Sequence, residues 1–263
     1  MRRLAAAAVL LMLTACAPGG CSGTGAPMAP AEPDTAAPPA SPPGPPAPEP
    51  VTWPHEPAGA LHPGSGSGAT DPTLWAGGMR FPLESGPAYA NSQVYGYGGW
   101  QAPGPGGQCD PRNYAYPWRD NFCETRSWSN SKCPAGRGHQ GQDIRPATCE
   151  KKVHWAVAAE AGRISSIGSY TLTLLGESGR IYRYLHLDMA EVNALFPTQA
   201  SQAVARGQRI GRVSDDFGGN ATTIHLHFEI KAPVTDGETA AVIFVPTYTS
   251  LVDSYSRLLN AAA

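Results

Sequence analysis

Charge is scarce in this chain of 263 residues: Asp, Glu, Lys and Arg make up 15%, and 19 basic against 21 acidic side chains leave a formal net charge of −2. That balance argues against nucleic acid or another polyanion as the main partner. The apolar run "LAAAAVLLM", Leu4 to Met12, is too short to span a bilayer comfortably. No CxxC pair occurs among the 6 cysteines, which argues against a four-cysteine zinc site. No internal repeat is visible, and solenoid and propeller arrays have no support.

What is abundant is proline and glycine, 27 and 30 residues, with proline concentrated toward the beginning of the chain. Arg2 and Arg3 followed by the apolar run read as the start of an export signal. "LTAC", Leu13 to Cys16, then resembles the lipobox of bacterial lipoproteins. The resemblance implies cleavage before Cys16 and lipidation of its sulfur, hence an exported protein anchored to a bacterial membrane and facing the cell wall. Residues 17–70 are nearly all Pro, Ala, Gly, Ser and Glu. They cannot bury enough apolar surface to offset their ordering entropy, so a disordered tether is expected, with His55 and His62 as solvated bystanders. Cys21 falls in this tether without an obvious partner.

From about residue 71 the chain is long enough for one domain with its own core. Residues 71–138 form its irregular, aromatic first part, a long loop system, and residues 139–263 its core. Cys109, Cys123, Cys133 and Cys149 cluster in the domain, and in an exported protein four clustered cysteines read as two disulfides. Three pairings are possible. Neighbours along the chain suggest Cys109 with Cys123 and Cys133 with Cys149. After residue 152, short strand-like runs at close spacing with Gly-rich turns indicate a mainly β, antiparallel domain. The runs are "VHWAVAA", "GRISSIGS", "YTLTLL", "GRIYRYLHL", "RGQRIGRV", "IHLHFEI" and "AVIFVP". Helices are expected near "DMAEVNALF" and over residues 249–260, where Leu251, Val252, Tyr255, Leu258 and Leu259 recur at helical spacing.

Two histidines stand two apart in "IHLHFEI". In a strand such residues share a face, so His225 and His227 point one way while Ile224, Leu226 and Phe228 point to the core. Upstream, "GRGHQGQDI" holds His139 and Asp143 at an even spacing. A hydrolytic zinc site takes three N or O ligands and keeps one position open for water. His139, Asp143 and one of the two later histidines supply such a set, and a single carboxylate leaves the ion net positive and Lewis acidic.

The order HxGxD (His139–Asp143), "YLHL" (Tyr184–Leu187), "RGQRIG" (Arg206–Gly211) and "HLHFE" (His225–Glu229) resembles the lysostaphin-type, LytM-like zinc metallopeptidases of bacterial peptidoglycan. The resemblance covers roughly residues 80–232. It implies an antiparallel β domain with an open groove, one zinc bound by His139, Asp143 and His227, and His186 and His225 as the non-ligand catalytic pair. It also implies a monomeric endopeptidase acting on peptide bonds of peptidoglycan cross-links. The rival reading is a non-catalytic relative that binds the wall or activates other wall hydrolases. Loss of a ligand would favour that rival, and all five residues are present. Glu229 falls on the metal-facing side, as a partner of a ligand or as an exposed strand-end glutamate. Tyr184 reads as an ordinary strand aromatic and His154 as structural. The cysteine-bearing segment before HxGxD departs from the family pattern and leaves substrate choice open.

Overall fold

A computed structural model describes residues 49–198, 201–236 and 239–261. Cys16, Cys21 and the expected signal and lipid-anchor segment lie outside the described residues. Among the described residues no helix is long and apolar enough to cross a membrane.

The strands in chain order are β1 (Tyr89–Ala90), β2 (Gln142–Arg145), β3 (Trp155–Val157), β4 (Gly162–Ile167), β5 (Thr171–Gly176), β6 (Ile181–Leu185), β7 (Ala203–Val204), β8 (Arg209–Arg212), β9 (Asp216–Phe217), β10 (Asn220–Ala221), β11 (Leu226–Asp236) and β12 (Thr239–Val245). Two helices accompany them, α1 (Met189–Leu195) and α2 (Tyr248–Ala261). The main sheet runs β1-β2-β11-β6-β5-β4-β7, with β12 continuing β11 as a hairpin. All its pairings are antiparallel. β3 pairs with β8 and β9 with β10 in two small ribbons.

Alternation along two central strands decides which side faces the core. Tyr182 and Tyr184 of β6 and Leu226, Phe228 and Ile230 of β11 are all fully buried on one side. Phe228 packs on Tyr184 with ring centroids 5.1 Å apart. The Tyr184 hydroxyl accepts the Ala159 backbone N–H at 2.7 Å, so this ring belongs to the core and not to a groove. Arg183, His227 and Glu229 fall on the opposite side, as period-two geometry requires. Gly141, the glycine of HxGxD, lets β2 close on β11: a Cβ there would stand 2.3 Å from the Phe228 carbonyl oxygen. Helix α2 buries Tyr248, Leu251 and Tyr255.

The tether boundary expected at residue 70 lies earlier. Residues 49–70 pack on the domain. Trp53 inserts into an aromatic cluster, 4.4 Å from Trp118 and 4.9 Å from Tyr255 between centroids. The Glu56 N–H donates to the Trp118 carbonyl at 2.9 Å, and the Thr125 N–H to that of Ser65 at 2.8 Å. Composition misplaced this boundary because one large aromatic and a few backbone hydrogen bonds suffice to hold a proline-rich strip whose own entropy is already low. His55 lies against Trp53 at the surface, and His62 borders a cavity whose lining includes none of the clustered histidines.

Asp120 clamps this strip. Its carboxylate accepts the Gly59 N–H at 2.8 Å and the Phe122 N–H at 2.8 Å while buried. Burial outweighs these two donors and pushes the carboxyl up from 3.8 to about 6. A raised carboxyl contributes stability that is complete below the unfolded value of 3.8 and lost as pH rises through 6, here about 3 kcal/mol. Urea denaturation of the native chain and of Asp120→Asn, each from pH 4 to 7, should therefore converge or cross. The native chain should lose stability relative to the variant as pH rises. Parallel curves would show that Asp120 does not titrate in this window.

The cysteines pair as Cys109–Cys149 and Cys123–Cys133, with Cα atoms 5.5 and 5.2 Å apart. This corrects the expected pairing of chain neighbours. The chain leaving β2 brings Cys149 beside the short 3₁₀ turn Gly107–Cys109, while Cys123 and Cys133 close a compact loop of their own.

Candidate metal centre and groove

Three strand ends build the site. Register sets Asp143 of β2 directly opposite His227 of β11, so the two side chains share one face as a cross-strand pair. His139 enters from the loop preceding β2. His139, Asp143 and His227 are all buried, and each offers a donor atom within 4.8 Å of the others. His139 Nε2 lies 2.9 Å from His227 Nδ1, His227 Nδ1 lies 2.9 Å from Asp143 Oδ1, and His139 Nε2 lies 3.4 Å from the same oxygen.

The hydrogen bonds around this triangle decide where its lone pairs point. His139 Nδ1 faces the Asn121 carbonyl at 2.9 Å; a carbonyl only accepts, so Nδ1 carries the proton and Nε2 is bare. His227 Nε2 likewise donates to Glu229 Oε1 at 2.9 Å, leaving Nδ1 bare. Asp143 Oδ2 accepts the Asn121 side-chain N–H at 2.9 Å and leaves Oδ1 for the centre. Three acceptors thus converge with no donor between them, which is repulsive unless a cation sits among them. Two imidazole nitrogens and one carboxylate oxygen are the donor types zinc takes in a hydrolytic site. The residues fit the ion.

Electrostatics point the same way. Burial works against the charge on Asp143, but the neighbouring imidazoles of His139 and His225 outweigh it and hold its carboxyl well below the usual range. Burial also opposes charge on His227, yet Asp143 and Glu229 raise this imidazole to about 9. Positive charge, whether a proton or a metal ion, is therefore favoured between His227 Nδ1 and Asp143, and a metal would displace the proton from that nitrogen.

His186 and His225 complete the cluster, with ring centroids 4.7 Å apart. His225 Nδ1 donates to the Thr223 carbonyl at 2.8 Å and His186 Nδ1 to that of Asp216 at 2.9 Å, so both keep a bare Nε2. His225 Nε2 stands 3.5 Å from Asp143 Oδ1. His186 lies just past β6 with φ +66°, a left-handed turn that swings its ring out of the strand's alternation and toward His225. Burial, with His225 and His227 adding to it, pushes the His186 imidazole down to about 2, so it is neutral at any working pH. Tyr170 and Phe217 flank its ring. The groove over these histidines measures about 460 Å³.

All five residues singled out by motif therefore meet in one place. Glu229 is a buried partner of His227 and not an exposed strand end, and it also pairs with Arg183, its cross-strand neighbour. His154 bonds Thr148 at 2.8 Å outside the cluster. Motif reading missed Asn121, which orients both His139 and Asp143; a lone asparagine between cysteines carries no signal of its own. Arg183 was equally invisible until register placed it beside Glu229.

Residues 137–240 match the profile of Peptidase family M23. Over this segment the chain is similar to that family. The segment contains all five histidine and aspartate positions of the cluster, whereas Asn121 and the loop system lie before it. Solved structures give a likeness at low identity. A protein from Ruminococcus gnavus designated a glycyl-glycine endopeptidase LytM shares 16% identity over 71% of this chain and 63% of its own, with a TM-score of 0.41. The catalytic domain of lysostaphin from Staphylococcus simulans shares 18% over 47% and 85%, with a TM-score of 0.32. A zinc-containing peptidase from Vibrio cholerae shares 29% over 37% and 29%, with a TM-score of 0.26. This chain thus spans less than two thirds of the length of the Ruminococcus protein. No curated protein matches the sequence.

Proposed function

We propose that the protein is a zinc-dependent endopeptidase that hydrolyses peptide bonds in peptidoglycan cross-links, exported and held to a bacterial membrane by lipid on Cys16. The observation that carries this reading is the convergence of three bare acceptor atoms, His139 Nε2, Asp143 Oδ1 and His227 Nδ1, beside two further buried imidazoles in a segment similar to the M23 family. Zinc held there would supply Lewis acidity toward a carbonyl and toward water at neutral pH. Asn121 and Glu229 fix the ligand tautomers, which outer partners of metal ligands commonly do. His225 presents a bare Nε2 able to take a proton from the attacking water and return one to the leaving nitrogen, while His186, held neutral by burial, presents a bare Nε2 that can accept a hydrogen bond from that water and orient it. The Asp216 and Thr223 carbonyls hold both rings in that tautomer. A non-catalytic wall-binding role is the rival, and the complete ligand set and both extra histidines weigh against it.

The test is fragment release from purified peptidoglycan by the zinc-loaded chain, followed by mass, with a chelated sample beside it. Release of un-cross-linked muropeptides that stops on chelation is expected, and the masses name the bond. A chain that binds zinc yet releases nothing from walls would overturn the reading. Retention in the detergent phase that is lost with Cys16→Ser would test the anchor.

A further inference from the structure

The groove over the metal centre has a wall that the M23-like segment does not supply. Gln93, Val94, Trp100 and Pro103 line it from one loop, and Arg126 and Trp128 from another, all before residue 137. Large aromatics are rarely left exposed without a use. Here Trp100 is 72% exposed, Trp128 45% and Phe217 42%, and all three rim this one groove. Trp128 stands 6.2 Å from the His139 ring between centroids, within one residue's width of the metal ligands.

Arg126 is the single Lys or Arg among the described residues that line the groove. It is not a loose surface side chain, since its side chain is only 15% exposed. Its Nη1 donates to the Thr125 carbonyl at 2.8 Å and its Nη2 to Glu124 Oε2 at 2.9 Å, which fixes the plane of the fork. Glu124 is itself fully buried, and the guanidinium lies 6.0 Å from the Trp128 ring. Guanidinium carries five N–H donors, so three remain for a ligand. The Cys123–Cys133 disulfide closes the loop on which Glu124, Arg126 and Trp128 all sit, and the Gly138 N–H ties its far side to the Trp128 carbonyl at 2.9 Å.

We propose that Arg126, braced by Glu124 and set beside Trp128, is the specificity-determining residue of the groove and binds a free carboxylate of the peptide substrate next to the scissile bond. This rests on the peptidase reading above and narrows it to carboxylate-bearing stem peptides. A fixed fork of N–H donors is matched by two carboxylate oxygens and poorly by a carboxamide, which offers one acceptor and presents its own donors. The flanking tryptophans cover apolar parts of the same peptide and exclude water from the pair.

The experiment compares a purified cross-linked muropeptide with the same molecule after its free carboxyl groups are converted to carboxamides. The full zinc-loaded chain should favour the acid over the amide in kcat/KM by roughly tenfold to a hundredfold, the usual worth of a charge-assisted hydrogen bond. In Arg126→Gln that ratio should fall to near one, and in Arg126→Lys, which keeps charge without the fork, to an intermediate value. Zinc content should match the native chain in both variants, which separates the effect from misfolding. A native chain that cleaves both forms equally, or an Arg126→Gln chain that keeps the native ratio, would overturn the assignment while leaving the peptidase reading intact. Calorimetric binding of both forms to the zinc-loaded His225→Ala chain supplies a readout without turnover. An acid preference there that Arg126→Gln abolishes, in a native chain that cleaves neither form, would support the carboxylate site and overturn the peptidase reading instead.

Discussion

Replacing His227 with alanine is expected to remove the single equivalent of bound zinc and, with it, all wall hydrolysis above background. His227 is the centre of the triangle: its Nδ1 lies 2.9 Å from both His139 Nε2 and Asp143 Oδ1. Without it two donors remain, too few for the three-ligand set of a hydrolytic site. The variant also leaves Glu229 buried without its imidazole donor, though Arg183 still compensates its charge. Glu229→Gln is the informative companion. The amide can still accept from His227 Nε2, but it no longer carries the charge that makes the imidazole a strong donor, so zinc affinity should fall about 10- to 100-fold while one ion still binds. Zinc per chain by elemental analysis, and affinity by competition with a chromophoric chelator, check both. A His227→Ala chain that still holds one zinc at native affinity would dismiss the ligand set.

Zinc should stay in place, by contrast, when either uncoordinated histidine is replaced. His225→Ala and His186→Ala are each expected to bind one zinc as the native chain does and to lose about 10²- to 10⁴-fold in kcat, the typical worth of a positioned acid or base. Neither ring belongs to the triangle of donors, and both keep a bare Nε2 beside it. Their rings stand 4.7 Å apart, close enough to serve one reacting centre, so the double variant should lose less than the product of the two single losses. Steady-state kinetics on one muropeptide, with zinc content measured on the same samples, would decide. A loss of less than about threefold in both single variants would remove these residues from the chemistry and favour the wall-binding alternative.

The motifs were legible because they obey strand geometry. The spacing of His225 and His227 placed both rings opposite Leu226 and Phe228, and β11 keeps that division into groove and core. Asp143 lies in β2, and His139 reaches the same place from the loop that precedes it. Where the path leaves a strand the periodicity argument stops. His186 reaches the cluster through a positive φ, and nothing in "YRYLHLD" announces it. Tyr184, two residues earlier, goes to the core instead of the groove.

The sequence by itself determined the alternation of the strands, the five chemical groups of the centre and the final helix, because each depends on residue type at short separation. Only the tertiary structure decided three further things. It paired Cys109 with Cys149 and Cys123 with Cys133, since the chain leaving β2 comes back beside the 3₁₀ turn Gly107–Cys109. It drew residues 49–70 into the domain, where Trp53 meets Trp118 and Tyr255, 65 and 202 positions further along the chain, contacts that composition cannot encode. And it brought Asn121, Glu124, Arg126 and Trp128 to the metal centre. Their roles arise from long-range packing of an irregular, disulfide-closed loop, for which no local period exists to be read.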